Sequence, residues 1–351
     1  MAEFAYRVAV ATGVVLAMIV VLLLLYTIRL VLVILFIAFI LSAAIRPVVF
    51  SLERRAGVPR GLAIVLVYLA LAFTSAIVIL AVAPAILAEL VALISNLPLY
   101  LEQLVAVLDQ VERFLEPYGP APDLSGQVAQ LPSLLLGALD QLVQVPLGIL
   151  TVLAWFVSIF ALALYWLLER DVAIERIVRF APPRRRERWR RLILRVEDRL
   201  GAYVHGELIV SSVIGFLSLA GLLVLGVRYA LVLALIAALL EVVPIIGPII
   251  AAIPAVIIAF VQSPPLALAV IAWYVVIQQV EGNLVYPKIQ ERVIHIPAFF
   301  ILLALLIGAE LMGILGALIA VPAAVAITVI VDELTTGEAP ARARPEEEEA
   351  A

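Results

Sequence analysis

Six long apolar runs, residues 8–28, 30–45, 62–83, 147–168, 208–225 and 266–286, decide what medium this chain folds in. Roughly 20 apolar residues cross the hydrocarbon of a bilayer. Two further runs, 229–261 and 298–331, are too long for one straight span, and both are broken by glycine and proline. A soluble fold needs polar groups to cover its surface, and here 66% of residues are hydrophobic and 14% charged, with a mean hydropathy of +1.21. The first apolar stretch far exceeds a signal-peptide core of about 7–15 residues. It reads as two spans retained in the chain, with a tight turn near Tyr26-Thr27-Ile28-Arg29. The expected fold is all-α: a polytopic helical membrane protein of about eight transmembrane segments, with two Gly/Pro-broken helical hairpins and amphipathic surface helices.

Arginine placement orients the spans. Arg46, Arg54, Arg55 and Arg60 follow the second run, and eleven arginines from Arg170 to Arg199 fill residues 169–207. Between them, residues 84–146 carry Arg113 against Glu89, Glu102, Asp109, Glu112, Glu116, Asp123 and Asp140. The positive-inside rule then puts the arginine segments and both termini in the cytoplasm, and the acidic segment outside, as in a multi-pass protein of a bacterial or archaeal plasma membrane.

The organisation expected is N-terminal transmembrane helices over 1–90, extracytoplasmic amphipathic helices over 91–147 and a single span over 148–168. A basic amphipathic segment follows over 169–207, then a transmembrane unit over 208–334 and a disordered acidic tail over 335–351. Leu101, Leu104, Val105, Leu108, Val111 and Leu115 recur at helical spacing, as do Leu131, Leu134, Leu135, Ala138 and Leu142 beyond Pro117-Tyr118-Gly119-Pro120. In the basic segment, Trp189, Leu192, Ile193, Val196, Leu200 and Tyr203 form an apolar stripe among arginines. That pattern fits a juxtamembrane helix on anionic lipid better than a nucleic-acid surface.

The two broken runs echo each other. Glu241-Val-Val-Pro244-Ile-Ile-Gly247-Pro248-Ile-Ile-Ala251 aligns without a gap on Glu310-Leu-Met-Gly313-Ile-Leu-Gly316-Ala317-Leu-Ile-Ala320. Proline and glycine free backbone groups from the helix ladder, and within a membrane such groups persist only when protein buries them or water reaches them. Paired interruptions of this kind point to a binding site. The expectation is two hairpins, entering from opposite faces, with tips near Pro244–Pro248 and Gly313–Ala317; two short spans in each run would give the same sidedness.

Polar groups inside apolar spans are costly and are functional candidates by default. They are Glu241, Gln278, Gln279, Glu281 and Asn283, Glu310, and Glu207 at a span entrance, with Pro244, Gly247, Gly313 and Gly316 supplying freed carbonyls. On a helix, Gln278 shares a face with Glu281, and Gln279 shares another with Asn283. Gly282 and Pro287 are placed to loosen that helix. The structural alternative for each is an interhelical hydrogen bond or a glutamate at the membrane surface. His205 and His295 read as interfacial histidines. There is no cysteine, no HExxH, no GxxxxGK[ST] and no GxSxG, and no aspartate lies in an expected span, so neither an enzyme nor a cofactor or metal site is expected.

Gly226-Val-Arg-Tyr229-Ala230, Glu241-Val-Val-Pro244-Ile-Ile-Gly247-Pro248, Gln279-Val-Glu281-Gly282-Asn283-Leu-Val-Tyr-Pro287 and Leu306-Ile-Gly308 through Gly313 to Pro322 occur in this order. Together with Arg60-Gly61-Leu62-Ala63 and Tyr203-Val-His-Gly206 they resemble the AI-2E family of membrane transporters, over the chain to about Leu334. The resemblance implies a homo-oligomeric, pentameric secondary transporter of a small molecule or ion, in contact with membrane lipids and not with nucleic acid. It implies export of a small signalling molecule such as autoinducer-2, or sodium(lithium)/proton antiport; a channel or a structural membrane protein is the reading from another class. Arg228 stands where the family usually has proline, Glu207 replaces a common glutamine, and Gln290-Glu291-Arg292 replaces a glycine-containing stretch.

Overall fold

The computed structural model describes residues 2–115, 126, 146–244, 246–285, 287 and 296–336. The second outer apolar run, Lys288, the 290–292 stretch, His295 and the tail from residue 337 lie outside the described residues. The chain is an all-α polytopic membrane protein. Among the described residues, five helices are long and apolar enough to cross a membrane, and shorter apolar helices include Ala230–Leu240 and Ile246–Gln262.

Helix α1 (Ala2–Thr27) leads into α2 (Arg29–Ala56) through Ile28, with Ile28 N bonded to Leu24 O and Leu32 N to Ile28 O, both at 3.0 Å. The turn expected there is reduced to a single residue between the two helices. Tyr26-Thr27-Ile28-Arg29 holds neither glycine nor proline, and the helix is interrupted at one residue, Ile28, with φ −93° and ψ 9°. Helix α3 (Arg60–Leu115) likewise absorbs residues 101–115, expected as part of a separate surface helix, and carries Pro84 and Pro98 in its interior. Its 56 residues reach about 84 Å, well beyond a hydrocarbon layer of about 30 Å.

Helices α4 (Pro146–Arg179) and α5 (Arg186–Val224) follow, then α6 (Ala230–Leu240), α7 (Ile246–Gln262), α8 (Pro264–Val280), a π turn (Glu281–Val285) and α9 (Ala298–Thr336). Small residues let the long helices approach. A side chain on Gly201 of α5 would begin 2.7 Å from the Ala43 carbonyl oxygen of α2, and at Gly221 the Trp273 ring fills the space a Cβ would need. One apolar core joins α5 to α8 through Leu222, Leu233, Ala255, Ile258, Val270 and Tyr274, and a second joins α2, α5 and α9 through Ala43, Leu200 and Val325.

Charge clamps one end of the bundle. Glu197 of α5, wholly buried, accepts from Arg46 of α2 at 3.2 Å and from Arg170 of α4 at 2.6–2.9 Å. Arg60 of α3 donates to Asp171 at 2.6 Å and to the Leu167 carbonyl at 2.9 Å. The Arg60 hydrogen bond is the chief cause that lowers the Asp171 pKa. At the same end, Arg195 and Arg188 hold the Glu333 side chain and carbonyl at the end of α9.

Candidate functional site

The two broken runs each double back. After α6, the chain turns from residue 241 and returns as α7; Gly247 sits so close that a Cβ would lie 1.8 Å from the Leu240 carbonyl oxygen. Only glycine fits there. Gly247 N donates to Val243 O and Ile246 N to Pro244 O, each at 2.8 Å, so the turn satisfies its own freed backbone groups. Within α9 the ladder breaks at Met312 and Gly313, where Gly313 has φ +62°, and the second arm returns along the first. Leu305 of the first arm packs on Ala320 and Val321 of the second.

The hairpins point in opposite senses along the bundle. The open end of the first is tied to α3: Glu89 accepts from Val232 N at 3.0 Å, capping α6, and Tyr229 OH meets Tyr100 OH and Asn96 Nδ2 at 3.3 and 3.2 Å. Gln262, with its amide oriented by its partners, joins that end to Gly226 O and Arg228 N. The open end of the second hairpin lies at the opposite, arginine-clamped end through Glu333. Val243, in the first turn, packs against Leu305, Ala320 and Val321 of the second hairpin.

Glu241 opens the first turn and is 2% exposed; Glu281 opens the π turn and is 8% exposed. Their carboxyl groups share a hydrogen bond, and Glu207 of α5 lies within electrostatic reach of them, acting on Glu241 and acted on by Glu281. Among the described residues, no hydrogen-bond donor reaches Glu241 Oε2. Gln278 Nε2 donates to Glu281 Oε2, and Asn283 Nδ2 donates to Gln279 Oε1 at 3.0 Å on the exposed face. Both pairs follow the helical spacing of the sequence, and the π turn widens the helix at Gly282. A hydrogen bond between two carboxyls requires a proton in it, since an ionised carboxylate can only accept.

Glu241, Gln278 and Glu281 are thus together, with Pro244 and Gly247 forming the turn beside them. Gln279 and Asn283 face away, and Glu310 is exposed on the first arm of α9. Gly313 and Gly316 shape the second turn and its close-packed arms. Beside that turn, a cavity of about 610 Å³ runs between the arms, lined by Phe300, Leu303, Ile307, Gly308, Met312 and Ile327 among others. It is almost wholly apolar and suits lipid or a protein surface better than a polar solute. Sequence reading undervalued Glu207 and passed over Ser211 and Ser218; their signal is polar residues at i, i+4 and i+11 inside an apolar helix.

A polytopic helical bundle with two opposed, broken hairpins and a buried carboxyl cluster belongs to the class of membrane transport proteins. Residues 15–336 match the model of the AI-2E family transporter, and the chain belongs to that family. It is 26% identical over 298 residues to YueF of Bacillus subtilis (strain 168), covering 82% of this chain and 79% of YueF. It is 30% identical over 186 residues to YrrI of the same organism, covering 52% of this chain and 53% of YrrI. With PerM of Escherichia coli (strain K12) it shares 30% identity over 193 residues, 54% of each chain. The chain thus spans about half the length of YrrI and PerM. The names of these relatives assign transport or permease function and no substrate.

Proposed function

We propose that the chain is a secondary transporter that exports a small polar, autoinducer-2-like molecule by alternating access, with protons carried by the Glu241–Glu281 pair. One observation carries this reading: two buried carboxyls share a hydrogen bond at the point where a helix reversal meets a π turn. Such a pair holds one proton readily and releases it when the hairpin turn moves away. The first hairpin enters from outside, the second from the cytoplasm, and the contact of Val243 with the second hairpin couples their movement. Gln278 supplies a donor for a solute hydroxyl or carbonyl once its bond to Glu281 opens. The same pair supports sodium(lithium)/proton antiport as a second reading, because a carboxylate that loses its proton presents oxygen ligands to a small cation. The chain functions as a homo-oligomer in the inner membrane, with both termini cytoplasmic.

Purified protein in proteoliposomes tests this directly. With an imposed pH gradient, uptake or release of autoinducer-2, sodium or lithium is measured against concentration. Saturable flux that follows the gradient is expected. Flux that rises linearly with solute and ignores both pH and sodium gradients removes the coupled mechanism and leaves a channel.

A further inference from the structure

The seam between α5 and α8 holds buried hydroxyls with no role in the carboxyl cluster. Glu207, Ser211, Ile214 and Ser218 recur at i, i+4, i+7 and i+11 and share one face of α5. Helix α8 runs antiparallel along that face. Tyr274 faces Ser218, Ile277 packs with Val210 and Ile214, and Glu281 approaches Glu207. The seam therefore starts at the carboxyls and ends at a hydroxyl pair nearer to Tyr229 and Gln262. Its sides are closed by Ala234 and Ala238 against Gly215 and by Trp273, whose Nε1 donates to Leu217 O at 3.1 Å.

Among the described residues, Ser211 Oγ and Glu241 Oε2 are buried without a hydrogen-bond partner, and Ser218 Oγ and Tyr274 OH, also buried, have no partner but each other. Ser218 is 0% and Tyr274 7% exposed. Each orphaned group left dry loses the hydrogen bonds it makes to water in the unfolded chain. Two orphaned groups and a hydroxyl pair in one line of packing call for a common polar occupant, and bridging water satisfies such groups wherever two or more converge. Ser211 and Ser218 stand seven residues, about 10 Å, apart along α5, a gap of about three hydrogen-bonded steps.

We propose that the seam from Ser218 and Tyr274 to Ser211 and Glu241 is a water-filled proton path that serves the Glu241–Glu281 pair. This rests on the reading of that pair as the proton carrier. A proton entering at the Tyr274 end forms one O–H bond as each oxygen passes its own proton onward, and the last bond formed is to a carboxylate oxygen. One proton is taken up and one delivered, with no oxidant or reductant involved. The titratable groups facing the path are Glu207 on α5, Glu241 after α6, and Tyr274 and Glu281 on and after α8.

The chain has no cysteine, so Ser218→Cys introduces a single thiol with nearly the shape of serine. Leu222→Cys, one turn further on the same helix and wholly buried in the apolar core, is the dry control. Vesicles holding each variant are treated with Ag⁺, an ion of nearly water-like size that reaches only hydrated thiols. The thiol that survives is then counted with a maleimide after denaturation. Ser218→Cys is expected to be consumed at least about tenfold faster than Leu222→Cys; equal rates mean a dry seam and overturn the inference. Tyr274→Phe is expected to reduce proton-coupled flux several-fold at unchanged half-saturation. Unchanged flux with a reactive Ser218→Cys shows a wet seam that carries no protons, which also overturns it. A wild-type protein that does not couple to pH sinks the proton-carrier reading itself, and the Ag⁺ result still decides whether the seam is wet.

Discussion

Gly308 and Gly316 lie backbone against backbone across the second hairpin, so that a Cβ on Gly316 would fall 1.8 Å from the Gly308 carbonyl oxygen. In one straight helix, residues eight apart are separated by about 12 Å. The contact therefore defines the reversal at Met312–Gly313, and it leaves no room for a methyl group. Gly316→Ala is expected to part the arms and cost about 1–3 kcal/mol, as overpacking does. Gly282→Ala, with nothing within 4 Å of its Cβ position, is the control and is expected to unfold near the wild-type temperature. Thermal unfolding in detergent measures both; a Gly316→Ala protein as stable as wild type contradicts the close packing.

The clamp on Glu197 predicts a different pattern. Its carboxylate is buried between Arg46 and Arg170, and removing it leaves two guanidinium groups facing each other. Glu197→Ala is expected to cost about 3–5 kcal/mol. Asp198→Asn touches the same Arg46 from an exposed position and is expected to cost about 1 kcal/mol or less, with raised salt masking the difference. Denaturation at low and high ionic strength separates the two, and a salt-sensitive Glu197→Ala effect would place that carboxylate in water.

Much of this architecture is legible in the residues, for a definite reason. Glycine and proline at 244, 247, 313 and 316 mark where the helix ladder fails, and the chain reverses at both places. The echo between the two runs registers that failure and nothing about neighbours. It pairs Glu241 with Glu310, yet one is buried against Glu281 of the π turn and the other is exposed on the first arm of α9. Proline is the weaker marker. Pro84 and Pro98 each remove one hydrogen bond while α3 continues, so an end expected near Pro84 does not occur. The contribution of α5 to the carboxyl cluster is a tertiary fact, hidden while Glu207 is read only as the entrance to a span.

Tyr229 carries the one positive φ among the described non-glycine residues, 58°, at the head of the first hairpin. A left-handed conformation costs a side chain about 1–2 kcal/mol. Its hydroxyl offsets this through Tyr100, Asn96 and the Ala92 carbonyl. Tyr229→Phe keeps the strain and the ring but loses these bonds, so a loss of about 1 kcal/mol is expected. Asn96→Ala removes one of the same bonds, and the double variant is expected to lose less than the sum of the two. Strict additivity in unfolding experiments would show that the tyrosine and asparagine do not interact.

Glu281 and Glu310 give the sharpest functional contrast. Glu281→Gln preserves volume and can still bond Gln278 and Glu241, but it cannot take up and release a proton at pH 7. Insertion into the membrane and thermal unfolding are expected to stay close to wild type, because the substitution leaves no new unpaired charge. Coupled flux is expected to fall at least about tenfold, the effect of about 1.4 kcal/mol on the coupled step. Glu310→Gln changes an exposed side chain and is expected to stay within about twofold of wild type, the range of ordinary surface substitutions. Wild-type flux in Glu281→Gln removes the carboxyl pair from the mechanism, while a large loss in Glu310→Gln alone moves the site to the second hairpin.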